Sequence, residues 1–389
     1  MTDAWTAMAM GILILVASVL SVELGISVAL IEIALGVLAG NVLGLHTTPW
    51  IDYLAGGGSI VLTFLAGAEV DVDVLREKLA ASLLIGGLSF LVPCVGVWAV
   101  ALWALHWAPA AAKIAGVALS TTSLAVVYAV LVETGLTDTP IGKLIMASTF
   151  VTDFGTAAAL SILFIRPTAW IGAFLGVAAA IILIMPRLQP WFFRRYGSRV
   201  IEPEIKGAFA ALLVLMYFAS LSASHAVLPA FVLGLAVSRI FAAHRAEQQR
   251  FRVVTFAVLT PFFFLKAGMN VRLAAVSANF GLLAALFGVK MLTKFAAVLP
   301  MARRYARPHA AYTTLLMSTG LTFGTISSLY GLQARLIDAT QFSLLITTVI
   351  LSAVIPTFIA QRWFDPRHRE RALAGDAEVP AQAVAGGGR

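Results

Sequence analysis

Long apolar runs alternate with short polar interruptions from one end of the chain to the other. Thirteen runs can be read, at about 5–22, 24–44, 58–76, 80–105, 112–133, 140–165, 168–186, 204–222, 225–241, 252–270, 276–300, 308–331 and 338–361. Most reach the ~20 residues that cross a hydrocarbon core as a helix. Runs 58–76 and 225–241 are short, which suits tilted or broken helices. The pattern predicts an all-α polytopic membrane protein with about thirteen transmembrane helices.

Composition agrees. The chain is 60% hydrophobic and 12% charged, with a mean hydropathy of +0.93, whereas soluble domains are about half apolar and about a quarter charged. Cys94 is the single cysteine, which excludes a disulfide framework and a Cys-based zinc site. The first run follows only Met1 to Ala7, lacks a basic lead-in and continues into further spans, so it reads as a retained helix rather than a cleaved signal peptide.

A net charge of +8 reports topology here rather than a nucleic-acid partner. With thirteen spans, one side collects Arg76, Lys78, Lys143, Arg187, Arg194, Arg195, Arg199, Lys206, Arg239, Arg245, Arg250, Arg252, Arg303, Arg304, Arg307 and the C-terminal arginines. The other side receives Lys113, Arg166, Arg272 and Arg335. The positive-inside rule then puts the N-terminus outside and the C-terminus in the cytoplasm, across a bacterial inner membrane. The stretch 186–206 divides two halves. The small, polar tail 374–389 is expected to be disordered and to carry no regulatory domain.

Two pairs of stretches echo each other at nearly one spacing. FLAGAEVDV (64–72) aligns with FLKAGMNVR (264–272), and LSTTSLAVVYAVLVETGL (119–136) with MSTGLTFGTISSLYGLQA (317–334). The offset spans seven runs, an odd number, so the copies cross in opposite directions, as in the inverted repeats of secondary transporters. Ser, Thr and Gly crowd the middle of both members of the second pair. They suit helix packing or a broken helix whose freed carbonyls and hydroxyls hold a cation; their matched positions favour two broken helices meeting near the midplane.

Ionisable residues inside apolar runs are costly and mark function by default. Asp153 lies near the centre of 140–165 and Lys290 near the centre of 276–300, with Lys294 one turn further on; Lys266 and Glu69 begin near run ends. Desolvation disfavours the charged form of a carboxylate, so an acid held from water can trade a proton for a cation near neutral pH. A static pair with Lys290 or Lys266 is the structural alternative for Asp153, and Lys290 itself balances the acid in the simplest reading. Lys294 reads as snorkelling or structurally paired, Lys266 and Glu69 as structural. Glu23, Glu32 and Glu133, nearer run ends, read as snorkelling, and the charge run Asp71 to Lys78 as a solvated helix end. His225 reads as a satisfied packing histidine rather than a pH sensor. No Ser-His-Asp set, HExxH or phosphate loop is present, so the chain does not read as an enzyme.

Together, ALSTTSLAVVYAVLVETGL (118–136), ASTFVTDFG (147–155), SHAVLPAFVLG (224–234), PFFFLKAG (261–268), GVKMLTK (288–294) and LLMSTGLTFGTISSLYGL (315–332) make the chain resemble the monovalent cation:proton antiporters, most closely their short NapA-like members. The likeness runs from the first span to about residue 362. It implies a sodium/proton antiporter fold with inverted repeats and two broken crossing helices, assembled as a homodimer. It divides the chain into dimerisation helices (1–57), a first core repeat and following helix (58–186), a cytoplasmic linker (187–206), dimer-domain and linking helices (207–250), a second core repeat (251–362) and the tail (363–389). Asp153 takes the place of the essential aspartate, with Thr152 beside it as a second cation ligand. Lys290 takes the place of the basic residue on a late helix. Ser120, Thr122, Thr319 and Thr322 fall in the crossing, with Lys266 and Glu69 as further charge-compensating candidates.

The resemblance implies exchange of Na+ or Li+ for H+ by alternating access, with the lipid bilayer as surroundings and no cofactor beyond the transported ions. Where electrogenic relatives carry two consecutive aspartates, this chain has Thr152-Asp153. A threonine hydroxyl can ligate a cation but carries no proton at neutral pH, so electroneutral exchange is expected, although Lys290 binding a proton in turn with Asp153 would alter the stoichiometry. K+/H+ exchange, sodium-coupled symport of an organic anion, and a channel or sensor on a transporter scaffold are the alternatives.

Overall fold

The computed structural model describes residues 3–24, 27–164, 168–196, 199, 202–222, 224–364 and 366. In chain order the helices are α1 (Asp3–Leu24), α2 (Val28–Asn41), α3 (Pro49–Ala68), α4 (Val72–Glu77), α5 (Leu79–Trp103), α6 (Pro109–Ser120), α7 (Leu124–Glu133), α8 (Pro140–Leu163), α9 (Ile171–Tyr196), α10 (Pro203–Leu221), α11 (Val227–Ala243), α12 (Arg245–Val254), α13 (Thr260–Met269), α14 (Leu273–Ala278), α15 (Phe280–Tyr305), α16 (Ala310–Met317), α17 (Thr322–Gln333) and α18 (Ala339–Trp363). A π-helical turn, Thr255–Leu259, joins α12 to α13. Ten of the described helical stretches are long and apolar enough to cross a membrane, with α2 and α11 shorter and apolar; α16 and α17 occupy the remaining predicted run.

Local chemistry sets the boundaries. Pro49, Pro109, Pro140 and Pro203 open their helices, where the missing N–H costs nothing and φ is preset. α18 starts at a reciprocal cap between Asp338 and Gln341. α3 differs from its apolar run. It starts at Pro49, with Ile51 and Ala55 buried, and ends at Ala68 because the Asp71 carboxylate accepts from the Asp73 and Val74 N–H groups and begins α4. Glu69 therefore caps the end of α3, in keeping with its place near an apolar-to-polar transition. At the other extreme, α9 continues past its apolar run, through Pro186 and Pro190, to Tyr196.

Two bundles result. α5, α6–α7, α8, α15, α16–α17 and α18 pack on one another; α2, α3, α11 and α13 form the second, with α9 and α10 beside α11 and α1 against α2. By packing, α3 and α13 thus belong with α2 and α11, and the first bundle begins at α5 and α15, well after residues 58 and 251. Close backbone approach explains this placement. Gly67 of α3 lies against the Phe231 carbonyl of α11, and Gly234 of α11 against the Phe64 carbonyl of α3; neither site has room for a side chain.

The order α3–α4–α5–α6/α7–α8 recurs about 200 residues later as α13–α14–α15–α16/α17–α18. The two sequence echoes are parts of this longer repeat. The tail 374–389 and Arg166 lie outside the described residues.

Candidate ion-binding site

Both predicted breaks are present. α6 stops at Ser120 and α7 resumes at Leu124, while α16 stops at Met317 and α17 resumes at Thr322. A break leaves carbonyls without intrahelical partners at one end and N–H groups at the other. Where the breaks cross, each serves the other: the Thr122 hydroxyl donates to the Met317 carbonyl at 2.8 Å, and the Ser123 and Thr322 hydroxyls face at 3.5 Å. The crossing depends on small residues, since a side chain on Gly324 would strike the Ala118 carbonyl. The Ser120 and Thr319 hydroxyls bond back to the carbonyls of Val117 and Leu316.

Asp153 sits in α8 beside this crossing and is 1% exposed. Its Oδ1 has no hydrogen-bond partner, although buried polar atoms are nearly always paired. Asp153 lines a cavity of about 710 Å³, together with Thr322 and Phe323 of α17. The cavity extends to the face bearing Lys143, Arg239 and Arg245, past Glu69, Asp138 and Arg252. Thr152 is buried beside Asp153, its hydroxyl donating to the Thr149 carbonyl at 2.7 Å, which leaves the oxygen lone pairs as its available chemistry.

Lys290 and Lys294 are both fully buried, and each serves one break. Lys294 Nζ donates to Ser89 Oγ at 2.9 Å and to Thr122 Oγ1 at 3.0 Å. Lys290 Nζ donates to Ser352 Oγ at 2.7 Å and lies where a side chain on Gly320 would strike it. Ammonium groups beside the C-terminal ends of α6 and α16 complement the partial negative charge there. Asp153 lines the cavity and neither lysine does.

The remaining candidates fall elsewhere. Lys266 pairs with Asp52 at 2.7 Å within the second bundle, and so does not compensate Asp153. Glu69 pairs with Arg252 at 3.7 Å at the cavity rim, and Arg252 also covers the Tyr128 ring of α7 at 5.5 Å. Of the two readings given for Lys294, structural pairing rather than snorkelling applies, because hydroxyls from α5 and the α6–α7 break hold it inside. Two readings are corrected. Glu32 does not snorkel either: it is 1% exposed, within α2, with Oε2 unpartnered. His225 packs edge-on against Tyr330 at 4.8 Å, yet its Nδ1 is unsatisfied. The side chain of Glu133 lies outside the described residues.

Sequence reasoning missed Ser89 and Ser352, and the repeat is the signal that points to them. Ser352 occupies in α18 the position Asp153 holds in α8, and Ser89 occupies in α5 the position Lys290 holds in α15. The contact between Lys290 and Ser352 is therefore the repeat-mate of the pair Ser89 and Asp153. One copy carries the acid and the other the amine.

Two packed bundles, repeated halves and two broken helices crossing at a buried acid define a multi-pass membrane protein of the secondary-transporter class. Residues 10–364 match the model of the transmembrane sodium/hydrogen exchanger family, and the chain belongs to that family. It is 24% identical to a probable Na(+)/H(+) antiporter 3 of Methanocaldococcus jannaschii, over 89% of this chain and 92% of that one. It is 26% identical to the Na(+)/H(+)-K(+) antiporter GerN of Bacillus cereus, over 86% and 89%. Its fold matches that of the sodium proton antiporter MjNhaP1 of M. jannaschii at pH 8 with a TM-score of 0.69 and 14% identity, covering 93% of this chain and 99% of that one.

Proposed function

We propose that the chain exchanges Na+ or Li+ for H+ by alternating access, with Asp153 binding the two ions in turn and Thr152 and Thr322 supplying neutral oxygens nearby. One observation carries this reading: the acid at the crossing has an unpaired oxygen and borders a cavity that reaches one face of the protein. Relatives named as Na+/H+ antiporters support the choice of ions. The first bundle moves against the second, which in a homodimer stays fixed at the dimer contact. Charge placement supports a cytoplasmic C-terminus and an inner-membrane location, so the cavity faces the cytoplasm in this state.

The test is a pH-gradient dequenching assay in proteoliposomes with Na+, Li+, K+ or no added cation. Na+ and Li+ collapse the gradient, and a chain that needs no cation, or responds only to K+, defeats the sodium reading. K+/H+ exchange is the second reading, favoured by the relative GerN, a Na(+)/H(+)-K(+) antiporter by name. Symport of an organic anion fits less well, because an acid at the inner end of the cavity repels that solute.

We also propose that exchange is electroneutral, because Thr152 stands where a second acid would be and both lysines are engaged by hydroxyls. Solid-supported-membrane recordings should show no current on a Na+ step. A sustained current that reverses with the combined ion gradients would sink this proposal.

A further inference from the structure

The cavity that reaches Asp153 also holds a fixed cation. Arg252 of α12 lines it, together with Glu69 at the end of α3 and Tyr128 of α7. A cation moving from the open face to Asp153 passes all three. A positive charge fixed in that passage repels it unless something neutralises the charge.

The guanidinium is shared rather than committed. Arg252 Nε stands 3.7 Å from Glu69 Oε1, beyond the ~2.7–2.9 Å of a charge-assisted hydrogen bond. By contrast, Arg239 meets Asp73 at 2.6 Å and Arg250 meets Glu202 at 2.8 Å. The Arg252 guanidinium lies instead 5.5 Å from the centre of the Tyr128 ring and 5.6 Å from that of Phe256, where the ring quadrupoles attract it. The Glu69 side chain is 25% exposed, and among the described residues no donor hydrogen-bonds to its carboxylate. Glu69 also caps α3, whose last-turn residues Leu65, Ala66 and Ala68 line the same wall. The partial negative charge of a helix C-terminus therefore adds to that of the carboxylate.

We propose that Glu69 is a way-station for the transported monovalent cation, with Arg252 as its tethered resident. An arriving cation takes the carboxylate, and the guanidinium withdraws to the rings of Tyr128 and Phe256. Because Arg252 competes for the carboxylate, the cation stays only in passage. A divalent ion fits less well, since no group of three His, Cys, Asp or Glu side chains placed to hold a metal occurs among the described residues. The inference rests on the exchange reading above and adds a second cation site on the path to Asp153.

Exchange assays in inside-out membrane vesicles from antiporter-deficient cells present the cavity face to added Na+. Glu69→Gln raises the Na+ KM about threefold or more, and Arg252→Gln lowers it by a similar factor, with kcat unchanged in both. The control Arg250→Gln, which breaks the pair with Glu202, leaves KM where it was. A merely structural pair moves both variants in one direction, so shifts of the same sign, no shift, or a fall in kcat alone would overturn the proposal. Opposite shifts that vanish in concentrated choline chloride would reduce the pair to long-range steering and overturn the site as well. Calorimetric Na+ titration in an Asp153→Asn background reads the way-station without the exchange site. Adding Arg252→Gln to that background gives Na+ binding that a further Glu69→Gln abolishes, and no binding in Asp153→Asn/Arg252→Gln would overturn the proposal. Exchange that survives in Asp153→Asn alone counts against the exchange reading and leaves this titration to decide on Glu69. Thermal unfolding of each variant shows that folded protein is being compared.

Discussion

Asp153→Asn abolishes cation-driven proton exchange while the helix bundles stay folded. Asparagine keeps the shape of aspartate but has no ionisable proton and no charge for a cation. The Oδ1 of Asp153 makes no hydrogen bond, so nothing holding the bundle together is lost there. Lys294 keeps its bonds to Ser89 and Thr122. Stability should change by only about 1 kcal/mol, while dequenching falls to the level of empty vesicles. Normal sodium-dependent flux in the variant would remove Asp153 from the mechanism.

Lys294→Met costs more exchange than Lys290→Met. Methionine fills most of the volume but makes neither of the amine's two hydrogen bonds, leaving Ser89 and Thr122 without a buried cationic donor. Hydrogen bonds to charged groups contribute about 1.5–3 kcal/mol each. Losing both loosens the tie between α5, α15 and the α6–α7 break. Exchange should drop by tenfold or more, since ~1.4 kcal/mol is a tenfold change, and the unfolding temperature should fall. Lys290→Met breaks only the bond to Ser352 and should cost less on both measures. A larger defect at Lys290 would return that residue to the role first read from its motif.

The contrast between these lysines shows where sequence stops being informative. Both stand in ALFGVKMLTKFAAVL one helical turn apart, and helical spacing places them on similar faces. What separates them is which break each amine reaches, and that depends on how α15 lies across α5, α6 and α18. Asp153 was legible because an acid within an apolar run is exceptional whatever its neighbours. The breaks at 121–123 and 318–321 were legible because Ser, Thr and Gly recur there in both halves. The end of α3 at Ala68, short of the run's end at 76, was not legible because hydropathy does not register the Asp71 cap that begins α4. The α3–α11 contact was hidden because its basis is two glycines, Gly67 and Gly234, far apart in sequence and informative only once the backbones meet. Ser89 and Ser352 look like ordinary small polar residues until the repeat pairs them with Lys290 and Asp153.

Proton and cation compete for one carboxylate in this account, and proton release on cation binding tests that directly. With detergent-solubilised protein in a weakly buffered solution containing a pH dye, adding Na+ to wild type should release close to one proton per cation bound, and Asp153→Asn should release none. Cation binding without proton release, or release that survives in Asp153→Asn, would contradict it.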